Sequence, residues 1–201
     1  GKSTIVMTQF SDLKQSPSIF LISGPSGVGK DTIIEELRSK FPNYFYAITA
    51  TSRPKRDNET DGKHYLFLSE EQFQKLIDNN EMLEWANVYG NYYGVPASPI
   101  IKAINLDKTI IMKIDVQGVE SLKNIFPQAV SIFITPDQPS DLIERLKSRN
   151  PENAIDIQSR LNSVAKELTA SKNFDHVVVN INNLIESTIN QIQTIIQQYT
   201  I

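Results

Sequence analysis

The sequence predicts an α/β chain: a mostly parallel sheet of about five strands, covered by helices on both faces. Three observations predict it. Short apolar runs alternate with amphipathic stretches along the chain. The first apolar run ends in a glycine-rich turn that opens directly into a helix. Residues 52–95 interrupt the alternation with hairpin signals, as a small inserted subdomain would.

The first strand is SIFLIS at 18–23. A helix over 30–40 places Ile33, Ile34 and Leu37 on one side, and Pro42 stops it. FYAITAT at 45–51 reads as the second strand. A polar, basic loop follows, SRPKRDNETDGK at 52–63, then a short strand from His64 to Leu68. Ser69 with Gln72 has the spacing of a capping box, opening a helix to Asn79. Met82 to Val88 is a strand, Gly90-Asn91 a turn, and a helix runs from Pro96 to Asn105. The alternation then returns: strand 109–115, helix 118–125, strand 129–135, helix 140–149, a break at Asn150-Pro151, and helix 153–171. HVVVN at 176–180 is the last strand and 183–199 an amphipathic helix. The core strands centre near 19–22, 46–51, 110–114, 130–134 and 176–179.

Composition excludes several classes. Of 201 residues, 40% are hydrophobic and 21% charged, which rules out disorder and a coiled coil. No apolar run has the length of a bilayer span. The net charge of −3 argues against general affinity for nucleic acid or acidic membranes. Cysteine is absent, which removes disulfides and thiolate sites and fits a reducing compartment. Residues 1–17 read as an arm without a targeting signal, and Gly1-Lys2-Ser3-Thr4 as a chance echo of a phosphate loop.

The strongest motif is Gly24-Pro25-Ser26-Gly27-Val28-Gly29-Lys30, between the first strand and the first helix. Glycines let successive backbone N–H groups turn inward as an anion nest. The helix adds its positive end and Lys30 a point charge. The pattern wants Ser or Thr next, to bring a hydroxyl to magnesium. This chain has Asp31, followed by Thr32. Arg53-Pro54-Lys55-Arg56 lies just past the second strand, where an α/β sheet carries its ligand crevice. Two arginines there suit a second phosphate, although a solvated basic turn has the same composition.

These segments resemble guanylate kinase. The matches are SGPSGVGKDT at 23–32, TSRPKR at 51–56, DGKHY at 61–65, LEWA at 83–86, GNYYG at 90–94, IDVQG at 114–118, ERLKSR at 144–149 and VVVN at 177–180, in the family's order over residues 18–199. The resemblance implies a P-loop kinase core at 18–51, 96–135 and 161–201, a GMP-binding subdomain at 52–95 and a lid at 136–160, after an N-terminal arm at 1–17. It implies that Gly24 to Thr32 hold ATP, with Asn180 near adenine. Arg53, Arg56, Tyr65 and Tyr93 would hold the GMP phosphate, Glu84 the guanine, and Thr49 would lie nearby. Asp115 would stand between the GMP site and the magnesium region. Arg145, Arg149 and Arg160 would be lid arginines over the ATP phosphates. Lys30, Arg53 and the lid arginines would carry catalysis.

The implied reaction is ATP with GMP, and by extension dGMP, giving ADP and GDP, with Mg²⁺ carried mainly by the nucleotide and Asp31 or Thr32 as its candidate protein ligands. The resemblance further implies a cytoplasmic enzyme, monomeric or weakly self-associating, with no nucleic-acid or membrane partner. The competing implication is a related binding module that grips phosphorylated peptides without catalysis. Read without the family, Tyr65, Tyr92 and Tyr93 are packing residues, and the arginines at 145, 149 and 160 are helix-surface pairs. His64 and His176 receive no role. Val95 stands where members often carry Ser or Thr toward guanine. Lys113 stands where an acid is common, and Asn150-Pro151 replaces a glycine-containing turn.

Overall fold

The computed structural model describes residues 18–88, 90–138, 140–144, 162 and 164–200. Two sheets organise the chain. The first has five strands in the order β2-β7-β1-β8-β9: β1 is Ile19–Ser23, β2 Phe45–Ala47, β7 Ile110–Lys113, β8 Val130–Pro136 and β9 His176–Asn180. β1 runs parallel to β8, β2 to β7, and β8 to β9. The second has four strands in the order β4-β3-β6-β5: β3 is Ala50–Thr51, β4 Leu66–Phe67, β5 Met82–Val88 and β6 Asn91–Pro96. The helices are α1 (Lys30–Lys40), α2 (Glu70–Asp78), α3 (Ala97–Asn105), α4 (Val116–Ile125) and α5 (Ile185–Tyr199). Residues 140–144 and 164–170 are also helical.

The chain divides into two compact units. One is built on Phe20–Pro42 and Val130–Ile201. Its core is the run Phe20, Leu21, Ile22 against Ile132, Phe133, Ile134, all fully buried, as expected of parallel strands covered on both faces. Ile33 and Leu37 of α1, with Ile189, Ile192 and Ile196 of α5, supply buried helix positions. Each such side chain contributes about 1.5–3 kcal/mol by leaving water.

The other unit is built on Asn43–Ala129, with Ser18 and Ile19. It contains β2, β7 and the whole second sheet. Ala50, Phe73 and Met82 form a small core with Leu66, Leu68, Leu76, Ile77 and Tyr92 packed around it. Phe73 of α2 stacks on Tyr92, with ring centroids 5.3 Å apart. The capping box at Ser69 and Gln72 is complete, which fixes where α2 begins.

Two local expectations change. FYAITAT is not one strand. It breaks at Ile48-Thr49 into β2 and β3, which belong to different sheets. The uniform apolar run carries no glycine or proline to announce the switch. The helix expected at 118 begins at Val116 instead, because the Asp115 side chain caps it by accepting from the Gly118 N–H at 2.6 Å. Of the helices expected at 140–149 and 153–171, residues 145–149, 153–161 and 163 lie outside the described residues.

Candidate active site

The phosphate loop belongs to the first unit and is made by its backbone. Gly24, Gly27 and Gly29 have φ of 149°, 84° and 101°, a region that side-chain-bearing residues avoid. Gly24 has a second reason to be glycine. A Cβ there would meet the Ile134 carbonyl oxygen at 2.4 Å. The Val28 N–H donates to Pro25 O at 3.2 Å and the Ile33 N–H to Gly29 O at 3.1 Å, closing the turn onto α1. The Lys30 ammonium folds back, donating to Gly24 O and, at 3.1 Å, to Pro25 O. Lys30 is therefore held over the nest by two loop carbonyls. Asp31 and Thr32 are exposed in the first turn of α1. Ser26 is exposed and Pro25 buried.

Asn180 is tied to this loop. Its amide donates to Val28 O at 2.8 Å, and its Oδ1 accepts from the Thr188 hydroxyl at 2.9 Å. Because a carbonyl only accepts, Val28 sets which way the amide faces. Thr188 is fully buried on α5 and locks that orientation. The sequence reading missed Thr188, since a threonine in an amphipathic helix looks like a surface residue. Ser23, at the end of β1 just before the loop, has a buried hydroxyl without a hydrogen-bond partner.

The predicted acceptor residues belong to the second unit, and four of them, Arg53, Tyr65, Glu84 and Tyr93, meet on one face of the four-stranded sheet. Successive residues of a strand point to opposite faces, and paired residues share a face. Ala50, Gly94 and Trp85 pair across β3, β6 and β5, on the face that α2 covers. Thr51, Tyr93 and Ala86 pair on the other face, and so do Glu84 and Val95. Phe67 pairs with Thr51 and joins them. Thr49 lies at the break between β2 and β3, where its carbonyl accepts from the Leu66 N–H at 3.0 Å; Arg53 and Tyr65 join the face through ring contacts. The Tyr65 ring lies 6.0 Å from Tyr93 and 5.8 Å from Phe67. The Arg53 guanidinium lies 5.5 Å from the Tyr65 centroid and 5.7 Å from that of Phe67. One face thus gathers Arg53, Tyr65, Glu84 and Tyr93.

Gly94 allows the close approach of β6 to β5. A Cβ there would meet Glu84 O at 2.6 Å and Trp85 Cβ at 2.8 Å. Thr51 fixes the start of the basic loop, donating to Tyr92 O at 2.9 Å and accepting from the Arg53 N–H at 3.1 Å.

Arg53 forks onto Glu59, Nη1 to Oε2 at 3.0 Å and Nη2 to Oε1 at 2.7 Å. The side chains are only 15% and 12% exposed, so the pair is shielded. That fork holds the Glu59 carboxyl below the usual range and raises the Arg53 guanidinium further. Glu59 also accepts from the Arg56 N–H at 2.9 Å. The sequence reading missed Glu59, because an acid in a mixed-charge loop reads as solvated. Arg56 itself is exposed.

Glu84 is half-buried opposite Val95, which is 2% exposed. Burial, and then the charge of Asp115, push the Glu84 carboxyl up to about 7. Asp115 is exposed at the N-terminus of α4. The face therefore carries an acid at Glu84 and a cation at Arg53.

His64 accepts from the Thr60 N–H at 2.9 Å within the basic loop, and His176 meets the Tyr199 hydroxyl at 2.9 Å. Among the described residues no cluster of three or more His, Asp or Glu is placed to hold a metal. Arg145, Arg149, Arg160 and Asn150-Pro151 lie outside the described residues.

The comparisons agree with this architecture. The guanylate kinase family model matches residues 16–199. A guanylate kinase of Carboxydothermus hydrogenoformans is 39% identical, covering 89% of this chain and 86% of its own. One of Gloeobacter violaceus is 43% identical over 81% and 79%. The crystal structure of guanylate kinase from Anaplasma phagocytophilum superposes with a TM-score of 0.72 at 30% identity, covering 94% of this chain and 89% of that one. With a phosphate loop in one unit, an acid-and-arginine face in the other, and a family match over nearly its whole length, this chain belongs to the guanylate kinase family of nucleoside monophosphate kinases.

Proposed function

We propose that this chain transfers the γ-phosphoryl group of ATP to GMP, and to dGMP, with the residues above in the following roles. A phosphate oxygen of GMP forms the new P–O bond, and the bond from the γ-phosphorus to the β–γ bridging oxygen breaks, releasing ADP. The attacking oxygen is already anionic near neutral pH, since the second phosphate pKa is about 6. No general base is then needed. The barrier lies in joining two polyanions and stabilising the charge on the transferring group.

The loop amides of 24–29 and Lys30 take the ATP phosphates. Arg53, Arg56, Tyr65 and Tyr93 take the GMP phosphate, with Thr49 beside them. Glu84, as a carboxylate, accepts from guanine N1–H and the exocyclic amine, a donor pair that adenine lacks. Asp115 completes the acidic end. Asn180 holds the loop and lies on the adenine side. Arg145, Arg149 and Arg160 are assigned to the ATP phosphates on the resemblance alone, with 136–160 as the lid and 52–95 as the acceptor subdomain. Mg²⁺ accompanying ATP supplies further charge neutralisation. Asp31 and Thr32, exposed in the first helical turn, are hard oxygen donors of a kind that suits it. The setting is the cytoplasm, where both substrates are available.

One observation carries the acceptor assignment. Strand pairing puts Tyr93 and the half-buried Glu84 on one face, and ring contacts bring Tyr65 and Arg53 to it, giving a cation for phosphate and an acceptor for guanine. A coupled ADP-release assay with ATP and each of GMP, dGMP, AMP, CMP and UMP tests it. GMP and dGMP are expected to support turnover at least about 10²-fold better than the others. Equal rates with AMP contradict the reading.

A further inference from the structure

Lys113 stands on the edge of the acceptor face. It ends β7, two residues before Asp115. Its ammonium lies 5.2 Å from the centroid of the Tyr65 ring. Arg53 lies 5.5 Å from the same centroid, and Tyr93 touches the same ring. One tyrosine therefore gathers two cations from different parts of the chain, one from the basic loop and one from the end of a core strand. A ring quadrupole attracts each cation weakly, about 0.5–2 kcal/mol, and does not neutralise either.

Arg53 is forked onto Glu59 in a shielded pair. Lys113 brings one more positive charge to the same ring. A lysine brings a compact ammonium on a four-carbon stem, a point charge that suits a phosphate oxygen. Its side chain is half-buried, so its field is less screened than that of an exposed lysine.

The geometry points to Lys113 as a further acceptor-phosphate residue. Together with Arg53 it forms a two-cation cradle around Tyr65, selective for a nucleoside monophosphate in its dianionic form. This rests on the acceptor reading above and sharpens it. The sequence marks position 113 as a departure from the family. The departure adds a charge where the substrate brings two negative ones.

The test is steady-state kinetics on the full chain with saturating ATP and Mg²⁺, varying GMP. Lys113→Met and Lys113→Gln are both measured, with thermal melts to confirm folding, and Lys113→Arg serves as the charge-preserving control. Both neutral variants are expected to raise the KM for GMP by about fivefold or more at low salt, with kcat within about twofold. Lys113→Arg should stay within about twofold of the parent in both constants. The gap between parent and neutral variants should narrow as salt rises and the Debye length shrinks from about 10 Å to a few. A purely structural role would lower kcat and the melting temperature together and would not respond to salt. An unchanged KM in a folded neutral variant overturns the proposal, as does a gap indifferent to salt. Arg53→Ala separates the two readings. If Arg53→Ala raises the KM and neutral Lys113 variants do not, only the Lys113 role fails. If the parent chain does not phosphorylate GMP at all, the acceptor reading itself fails.

Discussion

The phosphate loop and the acceptor face bind the same chemical group by opposite means. The loop uses backbone: three glycines with φ between 84° and 149°, a helix N-terminus, and one lysine held by loop carbonyls. The acceptor face uses side chains drawn from four strands and the loops between them, brought together by period-two alternation. The difference shows in charge. The loop brings one cation to the phosphates, Lys30. The face combines Arg53, paired with Glu59, and an acid, Glu84, pushed up to about 7. A backbone nest binds any polyphosphate. A side-chain face also chooses the base.

The comparison is broken most strongly at Lys30. Lys30→Ala is expected to lower phosphoryl transfer by about 10²–10³-fold, measured as single-turnover rate. Near-normal turnover contradicts a donor role for the loop. On the acceptor side, Glu84→Gln is expected to reduce the preference for GMP over AMP by about 10²-fold, read from the ratio of kcat/KM values. Unchanged selectivity removes Glu84 from base recognition.

The Glu84 carboxyl also gives a pH signature. As a carboxylate it accepts from both guanine donors; once protonated it loses its charge and one acceptor site. GMP affinity should therefore fall as pH drops below about 7, by up to about tenfold per unit. Stability runs the other way. The folded value lies above the ordinary 4.5, so between 4.5 and about 7 the folded chain keeps a proton that the unfolded chain has released. Stability then declines as pH rises through that window. Glu84→Gln should flatten the decline in thermal melts taken across it; an identical slope rules out Glu84 as its source.

The smallest effect sharpens the donor side. Thr188→Val removes the hydroxyl that orients Asn180 against Val28. A lost buried hydrogen bond is worth about 1 kcal/mol, so the KM for ATP should rise about three- to tenfold while that for GMP holds. Thr188→Ser should restore it. Equal changes in both constants, or none, contradict a role for Thr188 in loop positioning.

The same contrast explains what the sequence disclosed. The loop was legible because its parts are contiguous: strand, glycines, lysine and helix follow one another without a gap. The five core strands were legible as apolar runs. The acceptor face was legible only through resemblance, because Arg53, Tyr65, Glu84 and Tyr93 are far apart in the chain. The parity that puts Glu84 with Tyr93, and the ring contacts that bring Tyr65 and Arg53 to them, have meaning only once strand pairing is known. Glu59 stayed hidden because its partner fork is a tertiary contact. Thr188 stayed hidden because burial, not pattern, makes its hydroxyl matter. The break between β2 and β3 stayed hidden because Ile48 and Thr49 are good strand residues on both sides of it.

The central claim is that donor and acceptor anions are held by separate machinery, backbone in one unit and side chains in the other. Isothermal titration calorimetry on Lys30→Ala and Arg53→Ala tests it most directly, titrating each with ATP plus Mg²⁺ and, separately, with GMP. The account predicts that Lys30→Ala weakens ATP binding without abolishing it, because the loop amides remain, and keeps the affinity for GMP within about twofold; Arg53→Ala should weaken GMP binding and keep that for ATP within about twofold. Loss of both ligands in either folded variant, or of neither, contradicts it.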